Sequence, residues 1–312
     1  MVGHHGRVPG IYDEPELYEA ACAYRDVPVE VSALLRWSGK HGQPGKHGQP
    51  GQHGKDGKPG QPGQPGDADP HSVLELAAGP AEHSRELARR GLAATTLDLS
   101  PAMCARAREL AAADGIGLTV VQADMRDFSI PGQFDLAITM LNSLCHLLTL
   151  DDLLRHLACL ARHVAPGGLY IVELAHPADF FAAERRTSSQ WSNEVDGGTV
   201  SVRWGGGSDE IDPITQITRE HVSVTYRKRG GGVRTVTDVV ANRFWTATEL
   251  AAAIRLAGGF AVVASYGDFE ADTPVEAPDA WRMILVLRRA DPADPADPED
   301  PAAEPADGPR AG

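Results

Sequence analysis

The stretch that decides the fold is Ser72-Val-Leu-Glu-Leu-Ala77, which breaks into Ala78-Gly-Pro-Ala81, passes through a helical pattern and returns as Thr95-Thr-Leu-Asp98. An apolar strand, a tight turn, a helix and a second strand ending in a carboxylate form the first half of a doubly wound sheet, which binds its ligand at the strand tips. The same rhythm continues outward. Strands are expected near 72–77, 94–98, 118–123, 134–140 and 168–174, alternating with helices near 82–90, 101–113 and 150–163. This is the pattern of parallel strands joined by right-handed crossovers. Ser100-Pro101 reads as a helix cap followed by proline at the first helical position. Beyond Glu173 the rhythm changes. Residues 198–205, 215–227 and 233–244 are rich in Val, Thr and aromatic residues, with Arg229-Gly-Gly-Gly232 as a turn, and read as an antiparallel insertion. Residues 245–257 then read as a helix, and 260–266 and 281–287 as closing strands.

The residues at the strand tips select the ligand. Gly79 supplies a tight backbone turn, but Ala81 and Ser84 stand where a dinucleotide-binding turn has its second and third glycines. A methyl group at the second position keeps the backbone from a pyrophosphate. Glu75 precedes the turn and Asp124 follows the run Leu118-Thr-Val-Val-Gln-Ala123. Two acids at this mouth repel phosphate and favour a cationic ligand. Asp98 has the spacing to hold two ribose hydroxyls. S-adenosylmethionine (SAM), with a ribose, an amino group and a sulfonium but no phosphate, fits these charges.

The stretches Val73-Leu-Glu-Leu-Ala-Ala-Gly-Pro-Ala-Glu-His83, Leu97-Asp-Leu-Ser-Pro-Ala-Met103, Gln122-Ala-Asp-Met-Arg-Asp-Phe128, Phe134-Asp-Leu136 and Val164-Ala-Pro-Gly-Gly168 follow one another in register. In order and spacing they resemble the class I SAM-dependent methyltransferases. The closest look is to the small-molecule branch that includes the aminosugar N,N-dimethyltransferases, and the similarity spans roughly residues 11–37 and 71–289. The resemblance implies an α/β fold: a doubly wound, mainly parallel, seven-stranded Rossmann-like sheet with the antiparallel insertion after strand 5. The departure is the glycine-poor first motif, with Ala77 and Ala81 where glycines are commoner.

The resemblance also implies roles. Glu75 and the backbone around Ala77 and Gly79 would face the methionine end of SAM, and Asp98, followed by Leu99, the ribose. Asp124 would accept the adenine amino group, the Met125 backbone would read the ring and Met103 would pack on its face. Leu141 and Asn142 would line the methyl-transfer mouth. The segment from Tyr18 to Arg25 resembles a lid helix whose tyrosine and arginine close over the cofactor, with Tyr24 and Arg25 as candidates. His146, in Asn142-Ser-Leu-Cys-His146, is the candidate general base, and His176 the second choice. Trp191, Arg203, Trp204 and Tyr266 are candidates to shape an acceptor pocket. The insertion is either a cap over the acceptor or an oligomer interface, the latter giving a homodimer.

The chain divides into a helical lid (1–38), a Gly-x-y insert (39–70), a core (71–180), the insertion (181–244), a return to the core (245–289) and an acidic tail (290–312). From Gly39 to Gly66 glycine occupies every third place. That is collagen periodicity, but it interrupts a surface loop, where added length costs little closure entropy, and the reading preferred is a flexible linker. From Asp291 onward seven acids stand against one arginine, a net −6, which leaves −8 of the total −14 for the rest. The proline-spaced acidic tail reads as disordered. An acidic surface argues against nucleic acid as a partner, and the expected partner is a small-molecule acceptor.

The 312 residues are 42% hydrophobic, enough for one large or two small domains. No run reaches the roughly 18 apolar residues of a membrane span, no signal peptide is recognised, and a cytoplasmic protein with no membrane partner is expected. The four cysteines make no Cys-x-x-Cys pair, the twelve histidines are scattered, and no metal site is expected. Two other classes fit parts of the sequence. One is a nicotinamide oxidoreductase, against which Ala81, Glu75 and Asp124 speak. The other is a non-catalytic SAM-binding or scaffold protein acting through the Gly-x-y segment.

Overall fold

The computed structural model describes residues 10–43, 69–181 and 189–291. The expectations of a flexible linker and a disordered tail fall largely on residues 44–68 and 292–312, outside the described residues.

After a 3-10 turn at Ile11–Asp13 come α1 (Pro15–Cys22) and α2 (Val27–His41). The core then alternates as β1 (Ser72–Leu76), α3 (Glu82–Arg89), β2 (Ala93–Asp98), α4 (Pro101–Ala113), β3 (Leu118–Gln122), β4 (Phe134–Thr139), α5 (Leu150–His163) and β5 (Val164–Ala175). A short α6 (Ala178–Phe181) leads to β6 (Ser189–Val195), β7 (Gly198–Trp204), β8 (Ile217–Lys228) and β9 (Val233–Arg243). The chain closes with α7 (Ala247–Ala257), β10 (Phe260–Tyr266) and β11 (Arg282–Arg289). The main sheet has seven strands in the order β10-β11-β5-β4-β1-β2-β3. The pairs among β1 to β5 are parallel, and β11 runs antiparallel to both β5 and β10. The second sheet is an antiparallel meander, β6-β7-β8-β9.

Helix ends follow local chemistry. Ser100, Thr149 and Thr246 cap α4, α5 and α7 by accepting from the backbone N–H three residues on. Asp26 does the same for α2, accepting from Val29 at 3.1 Å, with Pro28 in the first turn. This new start, with a proline that cannot continue a helix, separates α1 from α2. Tyr24 and Arg25 therefore lie in the connector between two helices, where a single lid helix was expected. α2 also carries Gly39-Lys40-His41 in its last turn, so the first Gly-x-y triplet is helical.

α2 packs as core. Val31, Ala33, Leu34 and Trp37 are fully buried against the sheet face formed by Val73, Leu136, Ile138, Ile171, Ile284 and Val286. The opposite face is covered by α5 and α7, through Leu153, Leu157, Leu160, Leu250 and Ile254. A third cluster joins Ile11, Leu17 and Ala21 to Val200, Val202, Val222 and Val224 of the second sheet. α1 is therefore held between the two sheets. The β6 strand was not expected from the sequence. Its inward residues Trp191, Asn193 and Val195 alternate with exposed Gln190, Ser192 and Glu194, and an edge strand with so few apolar residues gives a weak signal.

Tyr266 corrects an expectation. It is buried on the α2 face of the sheet, its ring stacked on Trp37 at 4.4 Å with 6° between planes, and its hydroxyl pairs with His41 Nε2 at 2.7 Å. Trp37 also donates from Nε1 to Asp272 Oδ1 at 2.7 Å. Trp37→Ala is expected to destabilise the fold by about 3–5 kcal/mol, read as a lowered urea midpoint.

Candidate active site

The carboxyl ends of β1, β2 and β4 face the inner side of the second sheet across a cavity of about 630 Å³, within the roughly 300–1,000 Å³ of small-molecule sites. On the main-sheet side it is lined by Ala77 and Gly79 after β1, Asp98, Leu99 and Met103 after β2, and Asp124 and Met125 after β3. Leu141, Asn142 and His146 follow β4 on the same wall, and Tyr24 closes it from the connector. The second sheet contributes Trp191, Trp204, Val224, Asp238 and Asn242.

The strand tips are strained. Ala77, Ala81, Leu141 and Asn142 hold left-handed φ values of 51°, 61°, 56° and 60°, a conformation that costs an L-residue roughly 1–2 kcal/mol. Specific bonds hold two of them. Leu141 N donates to Glu173 Oε2 at 2.9 Å, and Asn142 Oδ1 accepts from Ala175 N at 3.1 Å.

Asp98 closes the turn. Its Oδ2 accepts from Gly79 N at 2.7 Å and its Oδ1 from Ser100 N at 2.8 Å. Burial raises its pKa, against those two backbone donors. Each oxygen retains a further lone pair, and the carboxylate lines the cavity. Asp124 lies on the wall in the grip of Arg126, whose Nη2 is 2.6 Å away. That hydrogen bond holds the Asp124 carboxyl below its ordinary value. Arg126 also reaches Asp152 at 2.9 Å. Met103 is buried beside the turn.

Two expected cofactor residues do not line the cavity. Arg25 is spent on other partners: Nη1 and Nη2 each donate to Glu173 at 2.7 Å, and Glu30 accepts from Nη2 at 2.7 Å and lies 2.6 Å from Nε as an ion-pair contact off the N–H axis. Glu75 faces inward, its Oε2 accepting from Ser84 N at 2.8 Å and Ser84 Oγ at 2.5 Å. Two acceptor candidates are corrected as well. Arg203 is exposed on the outer face of the second sheet, because it alternates with the inward residues Val202 and Trp204. His176 is bonded on both nitrogens, Nε2 to the Val275 carbonyl at 2.8 Å and Nδ1 to Ala178 N at 3.2 Å, and the cavity lining does not include it.

His146 opens onto the cavity. Its ring meets Tyr12 edge-on, with centroids 5.5 Å apart and planes at 89°, and Nε2 is 3.1 Å from the Tyr12 hydroxyl. Enclosure by protein pushes the imidazole below its ordinary pKa, against a hydrogen bond to the Ala241 backbone. Burial lifts the Tyr12 phenol well above its ordinary value. Tyr12, Arg126 and Asp238 line the cavity without having been singled out in the sequence, as do Ser100, read only as a helix cap, and Tyr18, read only as the start of the lid segment. For Asp238 a signal exists. In β9 it occupies the inward register between Val236 and Val240, where a lone carboxylate breaks an apolar alternation.

Beneath the cavity lies a buried charge cluster. Glu173 is wholly buried, and burial would raise its carboxyl, but Arg25 and Arg282 overcome this and bring it to about 2. Arg282 Nε lies 2.9 Å from Glu173 Oε1, an ion-pair contact off the N–H axis. His83 sits between Glu30, at 2.6 Å, and Glu75, at 3.6 Å. Burial opposes its charge, yet the two carboxylates raise it to about 9. A folded-state pKa above the ordinary 6.5 gives stability that is complete below 6.5 and lost as pH rises through about 9. His83→Gln is expected to abolish that alkaline decline, seen as a flat urea midpoint from pH 6.5 to about 9 where the wild-type midpoint falls.

Comparison with known proteins accords with this site. The family described as "Methyltransferase domain" matches residues 73–168. The dTDP-3-amino-3,4,6-trideoxy-alpha-D-glucopyranose N,N-dimethyltransferase of Streptomyces venezuelae is 30% identical over 195 residues, which are 60% of this chain and 74% of the relative. Two solved structures share the fold. DesVI of Streptomyces venezuelae has a TM-score of 0.67 at 23% identity, covering 91% of this chain and 100% of that one. The sugar N-methyltransferase KedS8 of Streptoalloteichus has a TM-score of 0.64 at 21% identity, covering 93% and 98%. The seven-stranded sheet, the carboxylate at the tip of β2 and these relatives together make the chain a class I SAM-dependent methyltransferase of the small-molecule branch, an enzyme that transfers a methyl group from SAM to a small acceptor.

Proposed function

We propose that the methyl acceptor is an amino group on a small polar molecule of the deoxysugar class, and that the acceptor sits on the second-sheet side of the cavity. The observation that carries this reading is the make-up of that side. Trp191, Trp204 and Val224 supply apolar surface, while Asn242, together with Asp13 from the N-terminal turn, supplies hydrogen-bond acceptors suited to a hydroxylated amine. The name of the Streptomyces venezuelae relative, which specifies a 3-amino deoxysugar, points the same way.

On this reading the main-sheet wall holds the cofactor. The paired lone pairs of Asp98 suit two ribose hydroxyls, and the left-handed turn at Ala77 and Gly79 leaves the backbone open to the methionine end. Met103 and Met125 offer apolar faces to an adenine. SAM, when bound, supplies a methyl group on an activated sulfonium. The protein's part is to orient the acceptor, exclude water and move one proton. An ammonium has no lone pair to offer, so a nitrogen acceptor must lose its proton. With Tyr12 donating its hydroxyl hydrogen to Nε2, His146 is neutral near pH 7, the form that can accept it. That bond occupies Nε2, so the proton reaches it by relay: the Tyr12 oxygen takes the acceptor's hydrogen as its own passes to Nε2, and the raised phenol pKa keeps Tyr12 neutral before and after.

Transfer of labelled methyl from SAM to dTDP-3-amino-3,4,6-trideoxy-α-D-glucopyranose, set against the same sugar bearing a 3-hydroxyl, tests the acceptor assignment. Methylation of the amine alone is expected; equal methylation of the hydroxyl sugar would overturn the nitrogen assignment. Asp98→Ala is expected to weaken S-adenosylhomocysteine binding by about 100-fold or more, measured by calorimetric titration. His146→Ala is expected to lower kcat by about 100-fold with S-adenosylhomocysteine affinity unchanged.

A further inference from the structure

The 3-10 turn that carries Tyr12 is fixed from both sheets. Ser100, beside Asp98 on the main sheet, donates its hydroxyl to the Tyr12 carbonyl at 2.8 Å. From the second sheet, Asp238 Oδ2 accepts from Ile11 N at 3.0 Å. Gly10 N donates to Asp13 Oδ2 at 2.9 Å and closes the turn on itself. A β-carbon on Gly10 would lie 2.2 Å from Asp238 Oδ2, so the carboxylate lies directly against the backbone of the turn, and a larger residue would push the two apart. Among the described residues, the charge of Asp238 has no cation partner in its hydrogen bonds. Those bonds are to the backbone of Ile11 and of its own neighbour Val239. An inward carboxylate flanked by Val236 and Val240 in β9 thus serves the N-terminal turn.

We propose that Asp238 is a positioning residue for methyl transfer: by seating the backbone at Ile11 it fixes the Tyr12 hydroxyl against His146. The polar groups on the His146 ring are the Tyr12 hydroxyl and the Ala241 backbone, and the first depends on where the turn sits. A misplacement of about 1 Å in such a group costs about 100-fold in rate. The consequence for turnover rests on His146 being the proton acceptor; the seating itself does not.

Proton NMR titration of His146 reads the seating with no acceptor present, the resonance being identified by its loss in His146→Ala. Tyr12→Phe removes a donor that favours the neutral ring, so the midpoint rises. Asp238→Ala is expected to raise it in the same direction by about half as much or more. Asp238→Asn removes the charge but keeps an oxygen for Ile11 N, and should return the midpoint to wild type. Gly10→Ala displaces the same contact from the side of the turn and should reproduce Asp238→Ala, so the outcome does not hang on the folding of one variant. In turnover of the amino sugar, Asp238→Ala should lower kcat about tenfold or more, keep S-adenosylhomocysteine affinity within about twofold, and add nothing in a His146→Ala background. An unmoved midpoint in both Asp238→Ala and Gly10→Ala, or a full further loss on top of His146→Ala, overturns the proposal. A raised midpoint with undiminished turnover in Asp238→Ala and His146→Ala overturns the proton-acceptor reading and leaves the seating intact.

Discussion

The ionic cluster around Glu173 is the constraint on which the geometry of the site depends. A carboxylate wholly enclosed at the end of β5 is costly by several kcal/mol unless charge and hydrogen bonds surround it. Arg25, Arg282 and the Leu141 N–H surround it here. Glu30 links Arg25 to His83, and His83 reaches Glu75. Three carboxylates face two guanidiniums and an imidazole that is charged at neutral pH, so the cluster is close to balanced. Through it the connector after α1, the mouth after β4, the start of β11 and the helix that follows the Ala78-Gly79 turn are fixed relative to one another.

That rigidity supports the strain at the strand tips. Ala77, Ala81, Leu141 and Asn142 take backbone conformations that glycine adopts freely, and such residues persist where their surroundings over-determine them. The Glu173 bond to Leu141 and the Asn142 bond to Ala175 are two such supports. At the first motif the turn between Ala77 and Ala81 is held by the Gly79 N–H bond to Asp98. The cavity above it is walled on one side by these fixed tips and on the other by a separate sheet, and the N-terminal segment from Gly10 to Cys22 touches both.

Much of this was legible in the sequence. Apolar runs of five or six residues alternating with capped helices predict the parallel strands, and α4 and α5 begin and end where their patterns do. The carboxylate ending β2 and the loop after β4 fall at the ligand-facing edge because strand order and direction put them there. What was not legible depends on contacts distant in the chain. Arg25 looks like a ligand-facing cation until Glu173, 148 residues away, is brought to it. Nothing in the sequence shows that Glu75 is also bound by Ser84 and lies beside His83. Tyr266 comes near the correct edge of the sheet and points to the other face, where Trp37 covers it. Tyr12 and Asp238 meet only because the second sheet folds back over the N-terminus.

The reach of the Glu173 contacts bears on the order in which the protein assembles during synthesis. Arg25 emerges from the ribosome long before Glu173, and Arg282 follows only near the end of the chain, in the last strand of the main sheet. Contacts of such separation are slow to form because the loops between them must close first. The parallel strands β1 to β4 can pair as they appear, but the N-terminal connector has no complete set of counter-charges until β11 inserts beside β5. The N-terminal connector and β11 thus complete the site together, and a nascent protein still lacking β11 has part of its sheet but no finished cavity.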